Sequence, residues 1–161
     1  MANTAVLVIA HGSPDPDWLE LVEAAVRQCG SRLPIRTAYL GGVEGRSIGE
    51  GWKRLENAGA DRIIVVPLFV TEGSSHLGEI RSKLGLDEGN LTESSRIFVS
   101  ARILWCPPLE DDPLVERIVA QRISALSRDP LQESLLLVGH GSDQPGGHEV
   151  WEQLMHRLTI R

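Results

Sequence analysis

The sequence predicts an α/β protein: an open, parallel four-stranded sheet with helices on both faces, followed by an extra C-terminal βα unit. Three observations carry that expectation. Strand-like apolar runs alternate with stretches of helical periodicity. The runs are apolar on both parities, as strands covered on both faces require. The first of them, VLVIAHGS at 6–13, returns near the other end as LLLVGHGS at 135–142.

Taken in order, TAVLVIA (4–10) reads as the first strand. After HGSP, Asp15 is a helix N-cap with Pro16 at the first helical position. Trp18, Leu21, Val22, Ala25, Val26 and Cys29 then form an apolar stripe. PIRTAYL (34–40) is the second strand. Ser47 and Glu50 form a capping box for a helix with the stripe Ile48, Trp52 and Leu55, closed by Gly59. DRIIVVPLF (61–69) is the third strand, and Leu77, Ile80 and Leu84 mark a short helix ending at Gly85. A polar loop (86–95) leads to RIFVSARIL, the fourth strand. Asp112-Pro113 repeats the cap-and-proline signal before a helix carrying Leu114, Val115, Ile118, Val119 and Ile123.

A chain of 161 residues with 42% apolar content can fill one core, so a single domain with a partial second unit is expected. The net charge of −6 argues against a nucleic-acid surface, which needs a basic patch to displace counterions. No apolar run approaches the roughly 18 residues of a membrane span. No basic segment precedes the first apolar run, so no signal peptide is read and a cytoplasmic location is expected. Cys29 and Cys106 lack CxxC spacing and are expected to be buried, reduced thiols.

Displacing the chain by 129 residues lays His11, Gly12 and Ser13 on His140, Gly141 and Ser142. Pro16 falls on Pro145, and Leu21, Val22, Ala25, Val26 and Cys29 fall on Val150, Trp151, Leu154, Met155 and Leu158. Strand, tripeptide, proline and stripe agree in one register. The expected organisation is a domain over 1–130 and, over 131–161, the opening βα unit of a second, incomplete repeat. A lone βα unit cannot cover its own strand. It must dock on the first domain, complete a homodimer, or belong to a longer two-repeat chain.

In an open parallel sheet, ligands gather at the carboxyl ends of the strands. His11 follows the first strand and His76 follows the third by the short GSSH loop. With strand order 2-1-3-4 the two imidazoles overhang one cleft, where neutral ring nitrogens bind a divalent metal. Gly12 permits close backbone approach, and Ser13 with the first helical amides suits an anionic group. His148 and His156, on or near the last helix, are expected to be solvated, and His140 has no second partner equivalent to His76.

VIAHGSPDPDW, then GADRIIVVPLFVTEGSSHLGEIRSKLG, then PPLEDDPLVERIVAQRI together resemble the CbiX/SirB group of class II tetrapyrrole chelatases. The likeness runs over most of residues 4–127. It implies a ferrochelatase-like fold and ATP-independent insertion of Co²⁺ or Fe²⁺, as substrate, into sirohydrochlorin or a related tetrapyrrole. It implies that His11 and His76 hold the metal or take pyrrole protons, with Gly12, Ser13, Ser74 and Ser75 against the substrate. No GxxxxGK occurs, in keeping with chemistry that needs no nucleotide. Members of the group commonly carry a glutamate after the second strand; Gly41 stands there in this chain. Glu44 is the nearest replacement as a metal ligand, with Glu72 and Glu79 more distant. Arg46, Arg81 and Arg102 are the candidate partners for substrate carboxylates.

Two other classes are weighed against a chelatase. A metal- or tetrapyrrole-binding module without turnover is motivated by the missing glutamate. A phosphohistidine enzyme would have an arginine before the HG pair, where Ala10 stands, and no GxGxxG follows the first strand to bind a dinucleotide.

Overall fold

The structure is a computed structural model that describes residues 3–87, 96–109, 112–138 and 148–159. The chain divides into two compact units, one formed by Met1–Phe69 with Ser75–Pro108, the other by Val70–Ser74 with Leu109–Arg161.

The first unit contains β1 (Thr4–Ala10), α1 (Pro16–Gln28), β2 (Ile35–Tyr39), α2 (Ile48–Asn57), β3 (Arg62–Pro67), α3 (Ser75–Lys83) and β4 (Arg102–Trp105). The strands form one parallel sheet in the order β2-β1-β3-β4, with Val6 opposite Ile35 on one side and Ile64 on the other. Side chains alternate across β1. Leu7 and Ile9 join Ile63 and Val65 on one face, under Ile48, Trp52 and Leu55 of α2 and Leu77 and Ile80 of α3. Ala10 and Tyr39 face the other way, against Val22 of α1 with Trp18 beside them.

Local signals set the helix boundaries. The Asp15 carboxylate accepts the Asp17 N–H at 3.0 Å at the start of α1. The Ser47–Glu50 capping box closes in both directions and holds the Glu50 carboxyl below its usual range, chiefly through the Ser47 side chain. Gly59, at φ +90°, carries the chain out of α2 in the left-handed conformation a Cβ disfavours.

Several expectations change. Leu21 is 70% exposed and Ala25 and Cys29 are also exposed, so α1 buries a narrower stripe than its periodicity suggests. Cys29, expected inside, caps the helix at the surface, and Cys106 is half-buried; both are free thiols. The fourth strand begins at Arg102 rather than at 96. Upstream of it, the Ile97 N–H goes to the Lys83 carbonyl at 2.8 Å, and the Ser100 and Ala101 amides go to Glu56 Oε1 at 2.8 Å each. Those amides cannot also serve a strand ladder. Trp52 Nε1 donates to the same Glu56 oxygen at 2.8 Å. Burial pushes the Glu56 carboxyl up, but these hydrogen bonds outweigh it and its pKa lies below the ordinary value.

The second unit contains α4 (Pro113–Leu126) and α5 (Glu149–Thr159), joined by an ion pair from Arg157 Nε to Glu116 at 3.3 Å. Asp112 caps α4 as expected, its side chain accepting the Leu114 N–H at 2.8 Å. Leu135–Val138, expected as the strand of a βα unit, lies in no strand, and Leu136 and Val138 are 85% and 86% exposed. Among the described residues no ladder partner meets this segment, and an unpaired apolar run has no reason to hold extended geometry. A helix, α5, forms over Glu149–Thr159. His140, Gly141, Ser142 and Pro145 lie outside the described residues.

Candidate metal and substrate site

The carboxyl end of β1 is gripped from both sides. The Leu68 N–H donates to the Ile9 carbonyl (2.7 Å), the Leu40 N–H to the Ala10 carbonyl (3.0 Å) and the Gly41 N–H to the His11 carbonyl (3.2 Å). His11 is thus presented at the rim by a backbone held between the continuations of β2 and β3. Gly12 follows at φ +96°, and a Cβ there would lie 1.9 Å from the Gly41 carbonyl oxygen. Both the conformation and the space demand glycine.

His76 is the second residue of α3. Its ring centroid lies 4.7 Å from that of His11, with the planes at 74°. A metal–nitrogen bond of about 2.1 Å puts each centroid about 3.2 Å from a shared ion, so two ligating imidazoles stand about 4.5–5.2 Å apart. The observed spacing falls in that window. His11 Nδ1 is 3.0 Å from the Gly12 carbonyl oxygen. A carbonyl can only accept, so Nδ1 is the donor in this contact, and Nε2 is the ring nitrogen left to face a ligand. Phe69, nearly buried, lies 6.1 Å from the His76 ring and gives the pair an apolar side. The sequence places Phe69 inside the third strand, but β3 ends at Pro67 and Phe69 lies two residues beyond it.

The other candidates fare differently. Ser75 opens α3, next in the chain to His76, and is exposed. Ser74 closes a turn by donating its N–H to the Thr71 carbonyl at 3.2 Å, within the short segment that belongs to the second unit. Ser13 Oγ accepts the Asp15 N–H at 3.1 Å, and the Asp15 carboxylate occupies the start of α1. Glu44 is exposed, and among the described residues no group of three His, Cys, Asp or Glu side chains could hold a metal ion. Glu44 therefore does not join the two histidines. Glu79 pairs with Lys83 at 3.2 Å, and Glu72 lies in the second unit. A Cβ at Gly41 would meet nothing within 4 Å.

Of the arginines, Arg102 is corrected outright. It opens β4 opposite Arg62, at the amino end of a parallel sheet, whereas His11 stands at the carboxyl end. Arg81 stacks on Trp105, 4.8 Å from the ring centre. Arg46 donates to Glu23 Oε1 at 2.9 Å. That carboxylate also accepts from Thr37 Oγ1 (3.2 Å) and Tyr39 Oη (3.1 Å), tying α1 to β2 and to the loop beyond it. Burial, then the neighbouring Glu23 charge, raises the Tyr39 pKa above its ordinary value. Sequence reading missed Glu23, because a glutamate on an amphipathic helix reads as solvated until the strand beside it is known.

The CbiX family model matches residues 5–126. The sirohydrochlorin cobaltochelatase of Methanopyrus kandleri is 27% identical over 134 residues, covering 74% of this chain and 94% of that protein. The sirohydrochlorin cobaltochelatase of Methanothermobacter thermautotrophicus is 26% identical over 130 residues, covering 74% and 90%. Among solved structures, a CbiX protein of cobalamin biosynthesis from Marinobacter aquaeolei superposes with a TM-score of 0.57 at 21% identity, over 76% of this chain and 93% of that one. SirB from Bacillus subtilis, solved with Fe³⁺, superposes with a TM-score of 0.77 at 21% identity. It matches 99% of this chain, which spans 61% of the SirB chain. The family match covers most of the chain, and the fold of the solved relatives agrees with it: the chain belongs to the CbiX family, the class II chelatase group to which its motifs point.

Proposed function

We propose that this chain inserts a divalent metal ion, Co²⁺ or Fe²⁺, into sirohydrochlorin or a closely related tetrapyrrole, without a nucleotide. The observation that supports this most is the 4.7 Å approach of His11 and His76 at the sheet rim, within a CbiX-family chain. Insertion exchanges one dication for two pyrrole N–H protons. The macrocycle needs bases beside it, and the ion needs donors that release it. Two neutral imidazoles serve both ends: they bind the ion weakly enough to surrender it and are free to accept the departing protons. His11 Nε2 and His76 are assigned those roles. Gly12, Ser13, Ser74 and Ser75 are assigned to the substrate, and the described residues include no helix long and apolar enough to cross a membrane.

An anaerobic insertion assay tests the reading. With Co²⁺ or Fe²⁺ and no ATP, the absorption of sirohydrochlorin should convert to that of the metallated product. His11→Ala and His76→Ala should each remove the conversion while leaving the far-UV circular dichroism unchanged. Conversion undiminished in both variants would reject the assignment.

Two observations favour a second reading, a binding module without turnover. Gly41 stands where a family carboxylate is expected, and among the described residues no third His, Cys, Asp or Glu forms a metal-holding group with the two histidines. Tight metal or tetrapyrrole binding with no spectral conversion would select it. The space at Gly41 makes Gly41→Glu the natural companion experiment, since turnover gained by that substitution would identify the missing ligand as the cause.

A further inference from the structure

The free edge of β2 over Ile35–Thr37, opposite Val6–Val8 of β1 and short of the histidine rim, carries features the proposed chemistry does not use. The Val6 N–H donates to the Pro34 carbonyl at 2.8 Å, and the Leu40 N–H to the Ala10 carbonyl at 3.0 Å. By the two-residue period of a strand, the backbone groups of positions 34, 36, 38 and 40 face β1, and those of Ile35, Thr37 and Tyr39 face outward. Tyr39 obeys this, donating its N–H outward to the Arg46 carbonyl at 2.9 Å. The outward amides of Ile35 and Thr37 have no partner among the described residues.

A cleft of about 480 Å³ lies along this stretch, within the size range of ligand pockets. Its lining shows that it straddles the edge. Thr37 lies on the α1 side, where its hydroxyl meets Glu23, while Arg36 points to the opposite, α2, side by strand alternation and shares the lining with Arg54 of α2. Arg27 and Arg46 complete the set of four guanidinium groups. In a chain of net charge −6 this is a local reversal of sign. Arg27 is paired with Glu20, and Arg46 with Glu23. Arg36 and Arg54 make no ion pair among the described residues.

We propose that this groove docks an extended acidic segment of a partner protein, added as a strand to the outer edge of β2. Unpaired edge amides recruit a backbone, and flanking guanidinium groups select carboxylates at alternate positions. A second copy presenting the same edge is disfavoured, because a two-fold axis would set one arginine cluster against the other. A small anion would use the guanidinium groups and leave the strand amides idle.

The test uses the intact, isotope-labelled chain with the capped peptide TEVEVEV, its lysine counterpart TKVKVKV, and citrate as the small-anion control. The acidic peptide should bind about tenfold or more tightly than the lysine one, and should shift the backbone amide resonances of Ile35 and Thr37. The double substitution Arg36→Glu with Arg54→Glu should weaken it by about tenfold or more. Thr37→Pro removes one outward donor without touching the β1 ladder and should weaken it similarly, while Thr37→Val, which keeps the N–H, should not. Equal binding of the two peptides, unmoved Ile35 and Thr37 resonances in the wild-type protein, or citrate binding as tightly as the acidic peptide would each overturn the proposal. The wild-type resonances decide the matter even if Thr37→Pro fails to fold. Metal insertion should be unaffected by every one of these variants that folds, which keeps this proposal separable from the chelatase assignment.

Discussion

VLVIA at 6–10 and the matching LLLV at 135–138 are built from the same kinds of residue, yet one is the second strand from the edge of a sheet and the other is no strand at all. β1 pairs with β2 on one side and β3 on the other, and Leu7 and Ile9 are fully buried. Leu135, Leu136 and Val138 are exposed and pair with nothing among the described residues. Branched apolar side chains favour strands only where a ladder and a covering face exist, so propensity states a readiness that neighbours must complete. The same contrast applies to chemistry. His11 becomes a candidate ligand because β2 and β3 hold its backbone and α3 brings His76 against it.

That contrast can be broken or sharpened by substitution. The largest effect is expected at Gly12→Ala, where the added Cβ would overlap the Gly41 carbonyl oxygen at a positive φ. A loss of about 4 kcal/mol or more in denaturant unfolding, with loss of metal binding, is expected; a near-wild-type midpoint would mean the rim is not held as described. Leu7→Ala should cost about 2–5 kcal/mol as a fully buried leucine leaves a cavity. Its counterpart Leu136→Ala should stay within about 0.5 kcal/mol. Equal costs at the two would erase the distinction between the segments.

Glu56→Gln lies between these extremes, at about 1–3 kcal/mol near neutral pH, because the amides of Ser100 and Ala101 lose a charged acceptor. Its pH dependence has a definite sign. The folded carboxyl has a lowered pKa, so its contribution is present above the ordinary glutamate value and lost as pH falls through the folded one. The gap between wild type and Glu56→Gln should therefore narrow on acidification. A gap constant from pH 7 to pH 3 would assign the effect to packing alone.

Much of the fold was legible in the sequence, since caps, prolines and periodicity are local. Asp15-Pro16, the Ser47–Glu50 box and the Ile48, Trp52, Leu55 stripe each state their role within a few residues. The convergence of His11 and His76 was legible through strand order. What stayed hidden were groups whose partners lie far along the chain. Glu23 meets Thr37 and Tyr39, Glu56 meets Ser100, and the segment 96–100 loses its strand to those bonds. Leu21 and Cys29 misled because a periodic stripe tells which face of a helix is apolar, not how wide a strip its neighbours cover.

The central claim is that one metal ion is shared by two imidazoles at this rim, and cobalt binding tests it most directly. Titration of Co²⁺ into the wild-type protein, His11→Ala, His76→Ala and the double variant, with X-ray absorption at the cobalt edge, should show one ion with two imidazole ligands. Either single substitution should weaken binding about as much as both together, because the two donors act on one ion. Fully additive losses, or a cobalt site that keeps both imidazoles when His11 or His76 is removed, would contradict the account.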